Sequence, residues 1–272
     1  MKLYATILIF FVCVVGVLSA QNLLIPEPVA LKVDDNPVAI PIFIYHAIRP
    51  TKPTDTPFVL NYVCTPETLE TELKWLKTNN YESISFDDLV AHFKQGKVLP
   101  QNPVILSFDD SWEDQYIYGV PLLEKYSFKG TFFIIVGSVG TKHQMTWEEI
   151  RMLDTMGMEI GCHTYSHPFL TQLTTPRRMV RLNKELVASK KILEAAIGHP
   201  VNTFAYPYGQ YNDIVIEQLK EAGYTSARGT FPGILHGEKD LFTLTGLIRT
   251  ENMAYFTNDL NEYFGELGEI AQ

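Results

Sequence analysis

Two adjacent aspartates, Asp109 and Asp110, stand at the end of the apolar run Val104-Ile105-Leu106-Ser107-Phe108. Such a run reads as a strand buried on both faces, the signature of a parallel sheet. Like charges this close repel unless a cation or a hydrogen-bonding partner sits between them. A helix N-cap would account for one aspartate but leaves the other without a reason. Further along, His163 and His167 are four residues apart, a spacing compatible with two imidazoles converging on one metal. Pro168 disfavours helical geometry at His167, so the pair lies on a loop. Joined by a carboxylate from another strand end, two nitrogens and one oxygen make a metal set with open positions, as catalytic sites use. The His-Glu-x-x-His protease pattern is excluded, because Thr164 stands where its glutamate base would be. One aspartate can then bind the metal while the other takes a proton from bound water, whose pKa zinc lowers to about 7.

These residues must be held by a scaffold, and the chain supplies a repeating one. Ala39 to His46 reads as a first strand ending on Tyr45-His46. Thr65-Pro66-Glu67 opens a helix with Leu69, Leu73 and Leu76 as its buried stripe. Tyr81–Ile84 is a short strand, followed by a helix from Phe86 that stops at Gly96. After the aspartate strand comes a helical stretch broken near Gly119 and Pro121, then the core strand Thr131–Val136. Thr146 starts a helix and Met158–Cys162 is another strand. A long helix runs from near Thr175-Pro176 to Gly198, with Met179, Leu182, Leu186, Leu193 and Ile197 on one face. Thr203–Tyr206 and Tyr224–Arg228 are strands around a helix closed by Gly223, and Leu241–Ile248 is a candidate eighth strand.

Seven or eight βα units in roughly 250 residues have the size and rhythm of a single-domain β/α barrel, with a doubly wound open sheet as the competing arrangement. In a barrel, chemistry collects at the C-terminal strand ends. There the sequence places Tyr45-His46, Asp109-Asp110, the segment Gly161–Pro168, and Ala205-Tyr206-Pro207-Tyr208-Gly209.

Three of these motifs, Ser107-Phe108-Asp109-Asp110-Ser111, His163-Thr164-Tyr165-Ser166-His167 and Phe204-Ala205-Tyr206-Pro207-Tyr208-Gly209, follow the order and spacing of the polysaccharide deacetylase family. That family is also known as carbohydrate esterase family 4, or the NodB-homology domain. With Tyr-His on the first strand, the chain most resembles the branch that de-N-acetylates poly-N-acetylglucosamine. The resemblance spans roughly residues 39–250. It implies a distorted (β/α) barrel of seven or eight units and a divalent metal, commonly zinc with cobalt or nickel as alternatives, held by Asp110, His163 and His167. It makes Asp109 the general base, His46 the general acid that protonates the leaving amine, and the backbone N–H of Tyr208 part of the oxyanion site. Two departures stand out: Ser111 replaces the glycine usual after the aspartate pair, and Ala205 replaces an arginine that in many members orients the base. His236, in Ile234-Leu235-His236-Gly237, looks like a loop histidine, and His92, His143 and His199 read as surface or loop residues. Of the aromatics beside the motifs, Tyr208 is expected to face substrate, with Trp112, Tyr165 and Tyr206 left open between sugar platform and core.

The totals agree. Of 272 residues 46% are hydrophobic and 19% charged, ordinary for a globular chain with a sizeable core. A formal charge of −9 argues against a nucleic-acid partner and leaves a neutral or cationic polymer as one. Residues 1–20, with Lys2, the apolar stretch Ile7–Val17 and Leu18-Ser19-Ala20, have the order of a secretory signal, an uncleaved anchor being the alternative. Residues 21–38 form a proline-containing linker, and 251–272 a C-terminal helical tail. A secreted or cell-envelope location follows. Cys13 lies in the signal, so Cys64 and Cys162 can form one disulfide, although two unpaired buried thiols are favoured. The expected activity is metal-dependent removal of N-acetyl groups from an N-acetylglucosamine polysaccharide. The alternatives are an O-acetyl glycan (xylan-type) esterase on the same fold and a non-catalytic carbohydrate-binding relative.

Overall fold

The structure, a computed structural model, describes residues 37–251 and Phe256. The signal segment 1–20, nearly all of the linker and most of the expected C-terminal tail lie outside the described residues. Eight parallel strands carry the fold: β1 (Ile42–Tyr45), β2 (Glu82–Ser83), β3 (Pro103–Phe108), β4 (Thr131–Ile134), β5 (Glu159–Cys162), β6 (Thr203–Ala205), β7 (Ser226–Arg228) and β8 (Leu247–Ile248). They form one curled sheet in the order β7-β6-β5-β4-β3-β1-β8, with β2 attached to the start of β3. The barrel reading holds, and its distortion has a definite location. β1 pairs directly with β3, from Ile42 opposite Ile105 to Tyr45 opposite Phe108, while β2 reaches only Pro103 and Val104. Between the two ends of the sheet, among the described residues, the ladder is reduced to an isolated parallel bridge from Arg228 to Leu244 and a few backbone hydrogen bonds around it, such as Ala227 N–H to the Leu241 carbonyl.

The first strand is shorter than its sequence pattern because Pro41 has no N–H to give to a ladder. Val38–Ala39 instead pairs antiparallel with Leu235–His236, and the Pro41 carbonyl accepts from Ile105. Side chains then alternate between two apolar layers. Ile42, Ile105 and Phe133 point into the barrel, where Phe86 and Leu89 join them. Phe43, Tyr45, Leu106, Phe108, Phe132 and Ile134 face the surrounding helices. Burial on both faces is what a continuous apolar strand requires.

The helices begin where their caps stand. α1 (Pro66–Thr78) starts on Thr65, whose hydroxyl accepts from the Thr68 N–H, and buries Leu69, Leu73 and Leu76. α2 (Phe86–Gln95) opens with a Ser85/Asp88 capping box and ends at left-handed Gly96. The stretch expected to break near Gly119 is a π-turn, Gln115–Gly119, running into α3 (Val120–Tyr126). α4 (Trp147–Thr155) carries a Thr146/Glu149 capping box. The long helix is α5 (Met179–Asn183), a second π-turn at Lys184–Ala188, and α6 (Ser189–Ile197), closed by left-handed Gly198. α7 (Asp213–Glu221) precedes β7. Cys64 and Cys162 are both buried and free, in line with the unpaired reading. Among the described residues no helix is long and apolar enough to cross a membrane.

Candidate metal centre and groove

The C-terminal strand ends open into a groove of about 910 Å³ whose lining includes His46, Asp109, Asp110, His163, His167 and Tyr208. All six residues singled out from sequence therefore meet at one place. Asp110, His163 and His167 bring one ligand atom each to a common point. The two Nε2 atoms are 3.2 Å apart, and each lies 3.5 Å from Asp110 Oδ1. A tetrahedral cation with bonds of about 2.0–2.1 Å has ligand atoms about 3.3 Å apart, so the spacing fits. The chemistry of the donors fits as well. His163 Nδ1 is 2.7 Å from the Ala205 carbonyl, an acceptor that fixes the N–H there and leaves the Nε2 lone pair turned to the cluster. Burial, reinforced by His163, pushes the His167 pKa down to about 4, so its ring is neutral near pH 7. Burial raises the Asp110 carboxyl, but His163, through its hydrogen bond and charge, outweighs this with help from His46 and His167 and holds it well below the usual carboxylate range. Burial lowers the His163 pKa, but its hydrogen bond to Asp110 and the charges of Asp109 and Asp110 raise it overall. The cluster thus favours a positive charge at the point where two imidazole nitrogens and one carboxylate oxygen converge, the place a cation would take.

The loops that deliver these ligands are strained. Asp110, Ser111, Thr164, His167 and Tyr208 all have positive φ, between 54° and 74°. Non-glycine residues there cost of order 1–3 kcal/mol each and persist only where surroundings over-determine them. Ser111 shows how. The position is left-handed, which explains why glycine is usual, and the serine hydroxyl adds a bond by accepting from the Ile135 N–H at 2.7 Å.

Asp109 does not join the ligand cluster. Its Oδ1 accepts from Arg228 Nη2 at 2.5 Å, and both residues are buried. Arg228 also donates to the Gly229 carbonyl and lies over the Phe133 ring. The arginine missing at Ala205 in β6 is thus supplied at the corresponding register position of the neighbouring strand, since Ala205 pairs with Arg228. In the sequence Arg228 merely ends the strand Tyr224–Arg228. An arginine closing the short run Ser226-Ala227-Arg228 was the available signal.

His46 lines the groove with its ring 5.0 Å from that of Tyr62, and its Nδ1 is buried without a hydrogen-bond partner among the described residues. Burial lowers its pKa, opposed by Asp109 and Asp110. Gln115, on the first π-turn and fully buried, donates to both the His46 and the Asp109 carbonyls. It ties the two candidate proton carriers through their backbones, a role the sequence did not suggest. Tyr208 is half-exposed, stacked on Phe169 at 4.0 Å and edge-on to His167.

Other expectations are corrected or completed here. His236 is not a loop histidine: it sits in a short strand pairing with Val38–Ala39, fully buried, its Nε2 3.0 Å from the Ile40 carbonyl. Trp112 and Tyr206 both line the groove, Tyr206 being otherwise buried with its hydroxyl donating to the Phe242 carbonyl, whereas Tyr165 carries the Lys184 ammonium over its ring. His143 lies on the groove margin, and His199 pairs with Asp154.

Comparison with known proteins points in one direction. Residues 96–227 match the family model described as polysaccharide deacetylase. A protein of Bacillus subtilis (strain 168), YxkH, provisionally named a polysaccharide deacetylase, is 28% identical over 210 residues, 77% of this chain and 71% of that one. The poly-beta-1,6-N-acetyl-D-glucosamine N-deacetylase of Staphylococcus aureus (strain MRSA252) is 29% identical over 175 residues, 61% of this chain and 60% of the enzyme's own length. Among solved structures, the Streptococcus pyogenes deacetylase PplD in complex with acetate superposes with a TM-score of 0.74 at 27% identity, covering 84% of this chain and 98% of that one. IcaB from Ammonifex degensii, at 21% identity and a TM-score of 0.70 over 79% of this chain and 93% of that one, shares the fold.

Proposed function

We propose, from the premise that this chain carries a polysaccharide deacetylase domain, that it is a metal-dependent hydrolase removing N-acetyl groups from an N-acetylglucosamine-containing polysaccharide. The observation that carries this reading is the division of labour within Asp109-Asp110. One carboxylate completes a three-atom ligand set, and the next is withheld from it by a buried arginine.

Asp110, His163 and His167 would hold the ion, zinc being the reading for two nitrogens and one oxygen. Bound there, a divalent cation polarises an amide carbonyl and makes water nucleophilic near neutral pH. The remaining steps belong to the chain's own groups. Arg228 fixes Asp109 through Oδ1, leaving Oδ2 to take the proton of the attacking water as its oxygen adds to the acetamide carbon. His46, which follows the strand paired with that of Asp109, delivers a proton to the amine nitrogen as the carbon–nitrogen bond breaks, so acetate and a free amine leave. Burial lowers the basicity of His46, so its protonated form is a stronger donor but a scarcer one near neutral pH, and the charges of Asp109 and Asp110 act to keep the proton on it. The Tyr208 N–H supports the oxyanion, and the exposed Tyr208 ring, backed by Phe169, offers a face to a sugar ring. Export belongs to the same reading and rests on the signal-like order of residues 1–20.

The test is acetate release from N-acetylglucosamine oligomers and from O-acetylated xylan, after chelation and after zinc or cobalt is added back. The expected result is chelator-sensitive release from the amide substrate. Release from xylan alone would move the activity to ester hydrolysis, and release from neither by metal-loaded protein would reject catalysis.

A further inference from the structure

The segment between the two histidine ligands is short and strained, and much of its backbone is held by hydrogen bonds. The Thr164 and Tyr165 carbonyls accept from the Val136 and Gly137 N–H groups, at 3.1 and 2.8 Å. The approach is so close that a Cβ at Gly137 would lie 2.6 Å from the Tyr165 oxygen. The His167 N–H donates to the Thr164 hydroxyl at 2.8 Å. Two consecutive N–H groups, of Tyr165 and Ser166, both donate to a single carboxylate oxygen, Oε2 of Glu185, at 3.0 and 2.7 Å. The Ser166 hydroxyl takes the other, Oε1, at 2.7 Å.

Glu185 is remote in sequence and almost wholly buried, at 2% exposure. It sits on the π-turn Lys184–Ala188 in the middle of an otherwise α-helical segment. π-turns are uncommon and recur at functional sites. The nearest cation, Arg181, is largely exposed and 4.0 Å away, so it does not account for a buried charge here. The burial is accounted for by the loop alone: three donors, all from residues lying between His163 and His167. Thr164 and His167 have φ of 71° and 54°, and a loop so disposed needs outside restraint to stay put.

We propose that Glu185 is a positioning residue for the metal centre: its carboxylate, presented by the π-turn, sets the turn that brings the two imidazoles together. The proposal rests on the reading of Asp110, His163 and His167 as metal ligands. Ligand-orienting partners of this kind change metal affinity by about 10–100-fold when removed.

The experiment measures zinc affinity directly, by competition with a chromophoric chelator, on full-length protein stripped of metal. Glu185→Asp keeps the charge but shortens the reach, and Glu185→Ala removes both. Each is expected to weaken zinc about 10–100-fold. Glu185→Gln can accept both N–H groups on its amide oxygen and donate to the Ser166 hydroxyl, so it should stay within about threefold of wild type. The cobalt-loaded Asp variant should also show an altered visible spectrum. Circular dichroism of the metal-free proteins checks folding, and if the Ala variant does not fold, the Asp variant decides. Wild-type affinity in the Asp variant would overturn the proposal, as would a Gln variant as weak as Ala. A wild-type protein that binds no zinc would instead overturn the metal reading beneath it.

Discussion

Replacing Arg228 by methionine tests the buried clamp on Asp109 most sharply. The guanidinium has no exposed surface and Asp109 is 2% exposed, with 2.5 Å between Nη2 and Oδ1. Breaking a buried pair by removing one partner costs about 3–5 kcal/mol, because the survivor keeps its charge without its counter-charge. The two survivors differ here. Asp109 borders the groove, where solvent can reach its free oxygen, so Arg228→Met belongs at the lower end, about 3 kcal/mol. Arg228 is enclosed by Phe133 and the Gly229 carbonyl, so Asp109→Ala, which strands the cation, belongs at the upper end, about 5 kcal/mol. For a domain of this size 1 kcal/mol moves Tm by about 2–4 °C, which gives a fall of about 6–12 °C for Arg228→Met. The double variant should lose less than the two singles together, by about 2–3 kcal/mol, as coupled neighbours do. Calorimetry in excess chelator keeps metal linkage out of the comparison. An Arg228→Met protein melting within 2 °C of wild type, or strict additivity in the double variant, would refute the reasoning.

Three further outcomes follow from the same geometry. Asp110→Ala and His163→Ala should each abolish stoichiometric zinc binding, while Asp109→Asn should retain zinc and lose acetate release; full turnover in the asparagine variant removes Asp109 from the base role. His46→Ala should lower kcat about 10²–10⁴-fold with zinc affinity unchanged, and a loss confined to KM would leave His46 a packing residue. Glu159, where β5 begins, accepts from the Phe86 and Asp87 N–H groups and the Thr131 hydroxyl, yet burial pushes its pKa up to about 7 from an ordinary 4.5. A folded pKa above the unfolded one means the native state holds the proton more tightly, so this contribution is complete below about pH 4.5 and fades as pH rises through about 7. Glu159→Gln should therefore flatten the pH dependence of Tm between pH 5 and 8, and an unchanged slope would show that the carboxyl ionises normally.

How far the sequence revealed this site depends on where each partner lies along the chain. Asp109 and Asp110 are adjacent and His163 and His167 are four apart, so both pairs are visible without tertiary information, and a barrel places strand ends on one rim. Arg228 was passed over because its meaning is lateral. It stands beside Ala205 across a ladder, and no linear pattern connects the two. Glu185 and Gln115 were missed for a related reason: polar residues on amphipathic helices ordinarily face water, and two π-turns bring these inward. His236 looks like a loop residue because Leu235-His236 is too short to announce a strand, and its partner, Val38–Ala39, lies far away along the chain. The displacement of β2 was equally hidden, since the rhythm of elements counts strands without saying which are neighbours.

That displacement has a consequence for how the protein tolerates insertions and deletions. Because β1 lies directly against β3, the Asp109 N–H donates to the Tyr45 carbonyl, and His46 and Asp109 are neighbours by ladder register. A strand alternates faces at every residue, so one residue gained or lost within 42–45 would turn the His46 side chain toward the helices and swing Tyr45, whose hydroxyl now meets Glu72 of α1, into the groove. Substitutions along this pair exchange one side chain at a time, whereas a change in length inverts every side chain beyond it. The paired strands that carry His46 and Asp109 can thus be altered in composition but not in count.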